Sequence, residues 1–282
     1  MKSIIRIASY NVKNFFDKQN PKYAKIAKEI RALAKNIEIF KPDIIGFQEV
    51  ESENSLNELN DLLSNPFEYS GLTEGNSYRQ INLGFLSNYP FTLTSHKNIH
   101  LKDEAGSPLS EFMSKEDHDN NKLSPLCFQR DLMLGEFNIS NKKLTIFNTH
   151  LKSRSGRDWN NNSADDIRLA ESLMASQIIK KYENNYKKRP VIVMGDLNHT
   201  SEDASIKPLL KNLQYSDPIF DEIIMKDKNA TTYWSKKGER IDYILLSELA
   251  NTLHIEGSSM IHKSTTARIA SDHYAVSIDI NL

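Results

Sequence analysis

Along this chain, short runs of apolar residues alternate with polar stretches whose hydrophobic positions repeat at helical spacing. The runs at 4–9, 44–47, 83–86, 144–147, 191–194, 241–246 and 275–280 are too short for buried helices and read as strands covered on both faces. Tyr23, Ala27, Ile30, Leu33, Ala34, Ile37 and Phe40 form one helical stripe, and Pro42 ends it. A second helix starts at Ser163, with Asp166 as capping-box partner, and carries Ile167, Ala170, Leu173, Met174, Ile178 and Tyr182. Strands alternating with helices predict an α/β fold in which both helices pack on sheet. Over 96–124 the periodicity stops. That segment predicts a long surface loop, and its Glu111, Lys115, Glu116, Asp117, His118 and Asp119 read as solvated side chains rather than metal ligands.

Composition changes this picture little. The 282 residues, 39% hydrophobic and 26% charged, suit one large globular domain over 1–282, with no repeat or low-complexity linker to divide it. The first apolar run is short and contains Arg6, so it reads as a strand and not as a secretory leader. A cytoplasmic protein is expected, although removal of a leader ahead of Met1 would leave the same sequence in an exported one. Cys127, the only cysteine, has no second thiol for a disulfide or a zinc site and reads as a small buried hydrophobe. With a formal charge of −1, any site for a polyanion must be local.

The chemistry sits at the ends of the strand-like runs. Asn11, Glu49, His150 and the pair Asp196 and Asn198 each follow one; Asp242 lies inside another, and Asp272 with His273 precedes the last. Strand ends of a layered α/β sheet converge on one rim, where ligand sites of such folds lie. Taken singly, each residue has an ordinary reading: Asp and Asn close strands as turn or cap residues, and His150 suits a half-buried imidazole. As a set they supply what phosphodiester hydrolysis needs. Glu49 with Asn11 offers the oxygen donors of a hard cation such as Mg²⁺, while His273, His150 and Asp196 suit positioning and deprotonation of water. Asp242 is the candidate to fix the tautomer of His273.

Six segments, "IASYNVKNFF", "PDIIGFQEVES", "FNTHLKSR", "VIVMGDLN", "RIDYILLS" and "SDHYAVSI", occur in order. In that order and at these intervals the chain resembles the endonuclease/exonuclease/phosphatase superfamily, which includes pancreatic-type deoxyribonuclease and the exonuclease III-like abasic-site enzymes. The resemblance runs from Ile4 to about Ile280. It implies a DNase I-like four-layer α/β sandwich, with two mixed sheets packed face to face between helices and a metal site at one rim. By the same resemblance Glu49 is the principal metal ligand and Asn11 contacts metal or phosphate. Asp196 orients the attacking water beside Asn198, which holds a phosphoryl oxygen or that aspartate. Asp242 pairs with His273 as general base or phosphate clamp, and Asp272 is an adjacent metal or structural carboxylate. His150 matches the second histidine of the deoxyribonuclease and sphingomyelinase branches. Gln80 stands about where the deoxyribonuclease branch has the glutamate partner of that histidine, so His150 is expected to lack a charged partner. "TTYWSKKGERIDYIL" lacks the Asn-x-Gly-Trp-Arg run of abasic-site enzymes, which argues against that specificity.

Basic residues flank the expected rim: Lys152, Arg154 and Arg157 after His150, and Lys236, Lys237 and Arg240 before Asp242. Lys152 and Arg154 are expected to contact substrate phosphates; Lys236 and Lys237 read as an ordinary charged loop. Tyr233 and Trp234 suit base stacking, but an aromatic pair beside a strand is more often core. The reading is a Mg²⁺-dependent phosphodiesterase, with Mn²⁺ as a substitute and Ca²⁺ as an accessory ion. A monomeric nuclease acting on DNA or RNA is expected. "GDLNHTSED" and "KKGERIDY" lack the marks of inositol-polyphosphate phosphatases, and no apolar hairpin stands out for a sphingomyelinase-like lipid phosphodiesterase, the second reading. A catalytically silent binding module is the third, against which Glu49, Asp196, Asp242 and His273 all stand.

Overall fold

Strands that bury both faces need a partner layer on each side, and two stacked mixed sheets provide it. The computed structural model describes residues 4–15, 25–77, 79–155, 161–223, 229–233 and 238–282. Its strands are β1 (Ile4–Phe15), β2 (Ile44–Val50), β3 (Tyr69–Thr73), β4 (Asn82–Ser87), β5 (Phe91–Thr94), β6 (Ser110–Glu111), β7 (Ser124–Pro125), β8 (Leu132–Ile139), β9 (Lys142–His150), β10 (Val191–Asp196), β11 (Asp242–Leu246), β12 (Met260–Ile261) and β13 (Val276–Asn281). The helices are α1 (Ala27–Phe40), α2 (Glu53–Asp61), α3 (Lys115–Asp119), α4 (Ala164–Asn185), α5 (Lys207–Leu213), α6 (Pro218–Glu222), α7 (Glu248–Asn251) and α8 (Thr265–Ala270). One sheet runs β12-β13-β1-β2-β4-β3 and the other β11-β10-β9-β8-β5, with β6 and β7 paired separately. Within the two sheets β1 with β2 and β9 with β10 run parallel, while the other pairs are antiparallel.

Adjacent residues of one strand serve different layers, which is why the runs are continuously apolar. Ile44 and Ile192 enter the core between the sheets, with Ile7, Phe85, Phe137, Met194 and Ile244. Their neighbours turn outward: Ile45, with Tyr10 and Phe47, meets Leu33, Ile37 and Phe40 of α1, and Val193, with Tyr243 and Leu245, joins Ile167, Ala170 and Ile179 of α4. Each buried aliphatic or aromatic side chain contributes roughly 1.5–3 kcal/mol. The order helix, sheet, sheet, helix is the expected four-layer sandwich. Among the described residues no helix is long and apolar enough to cross a membrane.

The capping box at Ser163 is formed as expected: Ser163 Oγ accepts from Asp166 N at 3.1 Å, and Asp166 Oδ2 accepts from Ser163 N at 3.0 Å. The first helix starts later than its apolar stripe suggests, at Ala27, where the Glu29 carboxylate caps the Ile26 N–H at 2.9 Å; Tyr23 lies outside the described residues. The stretch 96–124 is more structured than a loop, because Ser114 caps α3 and β6 pairs with β7. His118 and Asp119 are exposed as expected, but Glu111 is buried and takes a hydrogen bond from Gln129 Nε2 at 3.4 Å. Cys127 is only partly buried: its flanking residues Leu126 and Phe128 go inward while its own side chain lines a cavity.

His262 follows the edge strand β12, with its ring stacked on Phe40 at 4.4 Å between centroids and its Nε2 2.8 Å from Ser277 Oγ. Burial, and then the positive field of Arg6, lower its pKa to about 4. The unfolded chain therefore binds the extra proton at a pH where the fold does not. This group's contribution is complete above a pH of about 6.5 and is lost as pH falls through 4, on the order of 3 kcal/mol in all. Urea unfolding at pH 7 and 4.5 checks this: His262→Gln should lose distinctly less stability across that interval than the parent, and equal losses would contradict the assignment.

Candidate active site

Three strand ends of one sheet lie side by side at the rim. In the ladder Asp196 of β10 pairs with His150 of β9 on one side and with Asp242 of β11 on the other, so the three side chains share a row and one face. All three are buried. His150 Nε2 stands 3.5 Å and His273 Nε2 3.8 Å from Asp196 Oδ2. His273 arrives from the turn between α8 and β13 and puts Nδ1 2.9 Å from Asp242 Oδ2, which orients the ring with Nε2 towards Asp196. Close approach of β9 to β10 depends on Gly195, whose φ is +135° and where a Cβ would lie 1.9 Å from the Thr149 carbonyl oxygen.

The opposite sheet contributes through two irregular strand ends. The β1–β2 pairing shifts register between Asn11 and Phe15, and the β2–β4 pairing between Gln48 and Val50. Bulges of this kind re-aim side chains at a sheet rim. Glu49 there takes φ +68°, and its carboxylate accepts from Asn14 N at 2.8 Å and from Asn11 Nδ2 at 3.2 Å. The same Asn11 amide donates to Asp196 Oδ2 at 2.9 Å, so it ties the carboxylates of the two sheets together. Ser271 Oγ in turn donates to the Asn11 carbonyl at 2.8 Å. Asn198, with φ +57°, donates its backbone N–H to Asp196 Oδ1 at 2.7 Å, while its side-chain amide goes to the Leu151 carbonyl at 2.9 Å.

Electrostatics separates the two histidines. Burial, then the fields of Arg130, His273, Arg79 and Lys152, hold the His150 imidazole well below the usual histidine range, so it is neutral. For His273 burial pulls the same way, but the Asp242 and Asp196 carboxylates outweigh it and keep the ring protonated. Burial raises Asp196 above the carboxylate range, against the opposing pull of His273. A buried acidic and imidazole cluster is thus present: ligand atoms of Asp196, Asp242 and His273 all lie within 4.8 Å of one another.

The rim gathers Asn11, Glu49, His150, Asp196, Asn198, Asp242 and His273, seven of the expected residues. Asp272 stands differently, because its carboxylate is ion-paired with Lys13 Nζ at 3.0 Å. The neighbour of His150 is Asp196, not residue 80: Gln80 is exposed beside Glu51 and Asn82, and His150 Nδ1 has no hydrogen-bond partner among the described residues. Lys152 is largely buried and donates to the Ser155 carbonyl; Arg154 lies 2.9 Å from Glu239. Arg240 is a structural cation, held to Asp217 at 2.8 Å and stacked 4.2 Å over Tyr243. Tyr233 is half-buried, with its hydroxyl on the Arg268 carbonyl. Arg157, Trp234, Lys236 and Lys237 lie outside the described residues. Arg79 and Arg130 were missed by sequence reasoning. Both act electrostatically on His150, yet each sits in a segment with no periodic signal to place it.

Fold and rim together define a DNase I-like sandwich with a buried carboxylate and imidazole centre. The family described as endonuclease/exonuclease/phosphatase matches residues 8–273, and the chain belongs to it. Its members are generally hydrolases of phosphoester bonds. The chain is similar in fold to the human Nocturnin catalytic domain with bound sulfate anion, at 19% identity and a TM-score of 0.64 over 99% of this chain and 94% of that one. It is also similar to truncated Caenorhabditis elegans TDP2, at 17% identity and a TM-score of 0.63 over 99% and 98% of the two chains. An endonuclease/exonuclease/phosphatase protein from Bacteroides vulgatus gives 16% identity and a TM-score of 0.65 over 100% of both. No curated protein matches the chain.

The Gly195 contact is directly testable. Gly195→Ala should lower the melting temperature by roughly 5 °C or more beyond Gly106→Ala, which has a similar backbone cost at φ +85° but open space around it. Equal shifts would mean that the strands do not approach as described.

Proposed function

We propose that this protein is a divalent-metal-dependent phosphodiesterase and, more specifically, a nuclease acting on DNA or RNA. The observation that carries the reading is the convergence of Glu49 and Asp196 on one Asn11 amide, with His273 Nε2 3.8 Å from Asp196. The donor set fits a hard cation: the Glu49 and Asp196 carboxylates are joined there by the Asn11 amide N–H, the Asn11 amide oxygen accepts from Lys13 N at 2.9 Å, and no lysine or arginine nitrogen lies within salt-bridge reach of Glu49 or Asp196 among the described residues. Glu49 and Asn11 would hold Mg²⁺ or Mn²⁺, whose part is to neutralise charge on the phosphoryl oxygens. The Asp242–His273 pair is committed to its own hydrogen bond, which suits it to handling substrate and protons rather than to ligating the ion.

Each side chain then has a task set by its surroundings. Asp196, pinned through Oδ1 by the Asn198 N–H, offers Oδ2 to a water aligned for in-line attack. His273, a cation backed by Asp242, donates to a phosphoryl oxygen, and that added charge is stabilised more strongly in a site closed to water. Neutral His150 donates or accepts one hydrogen bond on the far side of Asp196. The sulfate named with the Nocturnin domain, a tetrahedral anion like phosphate, supports an anion site in this fold.

Cleavage of supercoiled plasmid, single-stranded DNA and RNA by purified protein with Mg²⁺ or Mn²⁺ tests the reading. Activity should vanish with EDTA and in Glu49→Ala, and Asp196→Asn should lower it roughly 10²–10⁴-fold while the protein stays folded. Nucleic acid left untouched, with turnover of sphingomyelin instead, would move the reading to the lipid phosphodiesterase.

A further inference from the structure

Beside the rim, residues of the 96–130 segment close over a cavity of about 360 Å³. Arg79, Arg130 and Lys152 line it, against one carboxylate, Glu111, so its walls carry a net positive charge. The remaining lining is of another kind: Met113 and Leu126 offer apolar surface, and Gln129 and Asn98 offer amides.

Arg130 decides what the cavity is suited to. It is 7% exposed, no carboxylate among the described residues lies within salt-bridge distance of it, and its Nε has no acceptor. Its Nη1 donates to the Leu151 carbonyl at 2.9 Å. Its charge is met only at a distance, by Glu171 and then by Glu49 and Asp196, and a phosphate supplies the paired acceptors that its planar fork matches. The arrangement is held from behind by α4, where Glu171 accepts from the backbone N–H of Gln129 at 3.0 Å and of Lys152 at 2.6 Å. Arg168 donates to the Lys152 carbonyl at 2.9 Å. Cavity and rim also share walls: the Leu151 carbonyl takes hydrogen bonds from both Arg130 and Asn198, and Arg79 is bonded to Asn14, whose N–H holds Glu49.

We propose that this cavity receives one nucleotide unit of the substrate next to the scissile phosphodiester. Its phosphate lies on Arg130, Lys152 and Arg79, and its base lies against Met113 and Leu126 with Gln129 and Asn98 at its polar edge. The inference rests on the reading of the rim as a phosphodiesterase and adds a specificity to it. Binding pockets for small ligands start at about 300 Å³, so there is room for a single unit. A unit held this way has left its base stack, which favours single strands, frayed ends and short oligonucleotides over continuous duplex.

Calorimetric titration of the full chain in EDTA, with deoxyadenosine 5′-monophosphate, inorganic phosphate and deoxyadenosine as probes, tests the cavity apart from catalysis. The nucleotide should bind at least tenfold tighter than either phosphate or nucleoside. Arg130→Gln and Lys152→Gln should each weaken it at least fivefold, and His262→Gln, a substitution beside Phe40 on the other sheet, should leave it within twofold. If Arg130→Gln melts early, Lys152→Gln and Met113→Asp, at a side chain already 47% exposed, decide the question. Phosphate binding as tightly as the nucleotide, or affinity indifferent to these cavity substitutions, would overturn the proposal. Cleavage lost with nucleotide binding intact would count against the rim instead.

Discussion

A carboxylate that water barely reaches sits at the seam of the two sheets, and much of the rim is arranged around it. Asp196 is 1% exposed, and its neighbours are an amide, a backbone N–H and two imidazoles, of which only His273 is charged, rather than a lysine or arginine. Burying such a group costs several kcal/mol unless its lone pairs are met. The surrounding residues meet them in order. Gly195 allows the strand beside it to come close, Asn11 crosses from the opposite sheet, Ser271 holds the Asn11 backbone, and Asp242 holds the ring that faces Asp196.

The same burial explains how two histidines at one carboxylate differ in charge. His273 has its own carboxylate partner on Nδ1 and stays protonated, whereas His150 has none there and is held neutral by burial and then by the fields of Arg130, His273, Arg79 and Lys152. One centre thereby contains a fixed cation and a neutral imidazole, a division that suits stabilisation of a phosphoryl group on one side and hydrogen bonding on the other. Members of the family share the layered fold; beside the rim this chain has the buried Arg130 and a cavity walled by residues of 96–130, which our proposal assigns to one nucleotide unit of the substrate.

Much of this was legible in the residues. Continuous apolar runs marked the strands of a sheet covered on both faces, and Ser163 with Asp166 marked the start of α4. Polar residues at the ends of those runs marked the rim, because strands of one sheet end together. Other features hinge on distant partners that no local pattern records. Lys13 claims Asp272, Glu239 lies against Arg154, and Asp217 claims Arg240, so each of these expected site residues has a neighbour of opposite charge. The strand β8 was missed because Gly135 and Glu136 interrupt its apolar run, and Arg130 just ahead of it went unnoticed with it. Cys127 looked like core by type alone, yet it borders the cavity.

The central claim is that Asp196 and His273 work as one unit, and a double-mutant cycle on cleavage of a single-stranded oligonucleotide tests it most directly. The account predicts that Asp196→Asn and His273→Ala each cost nearly as much in kcat as the two together, as interdependent catalytic groups do. Losses that simply multiply would show two independent contributions and contradict the shared centre.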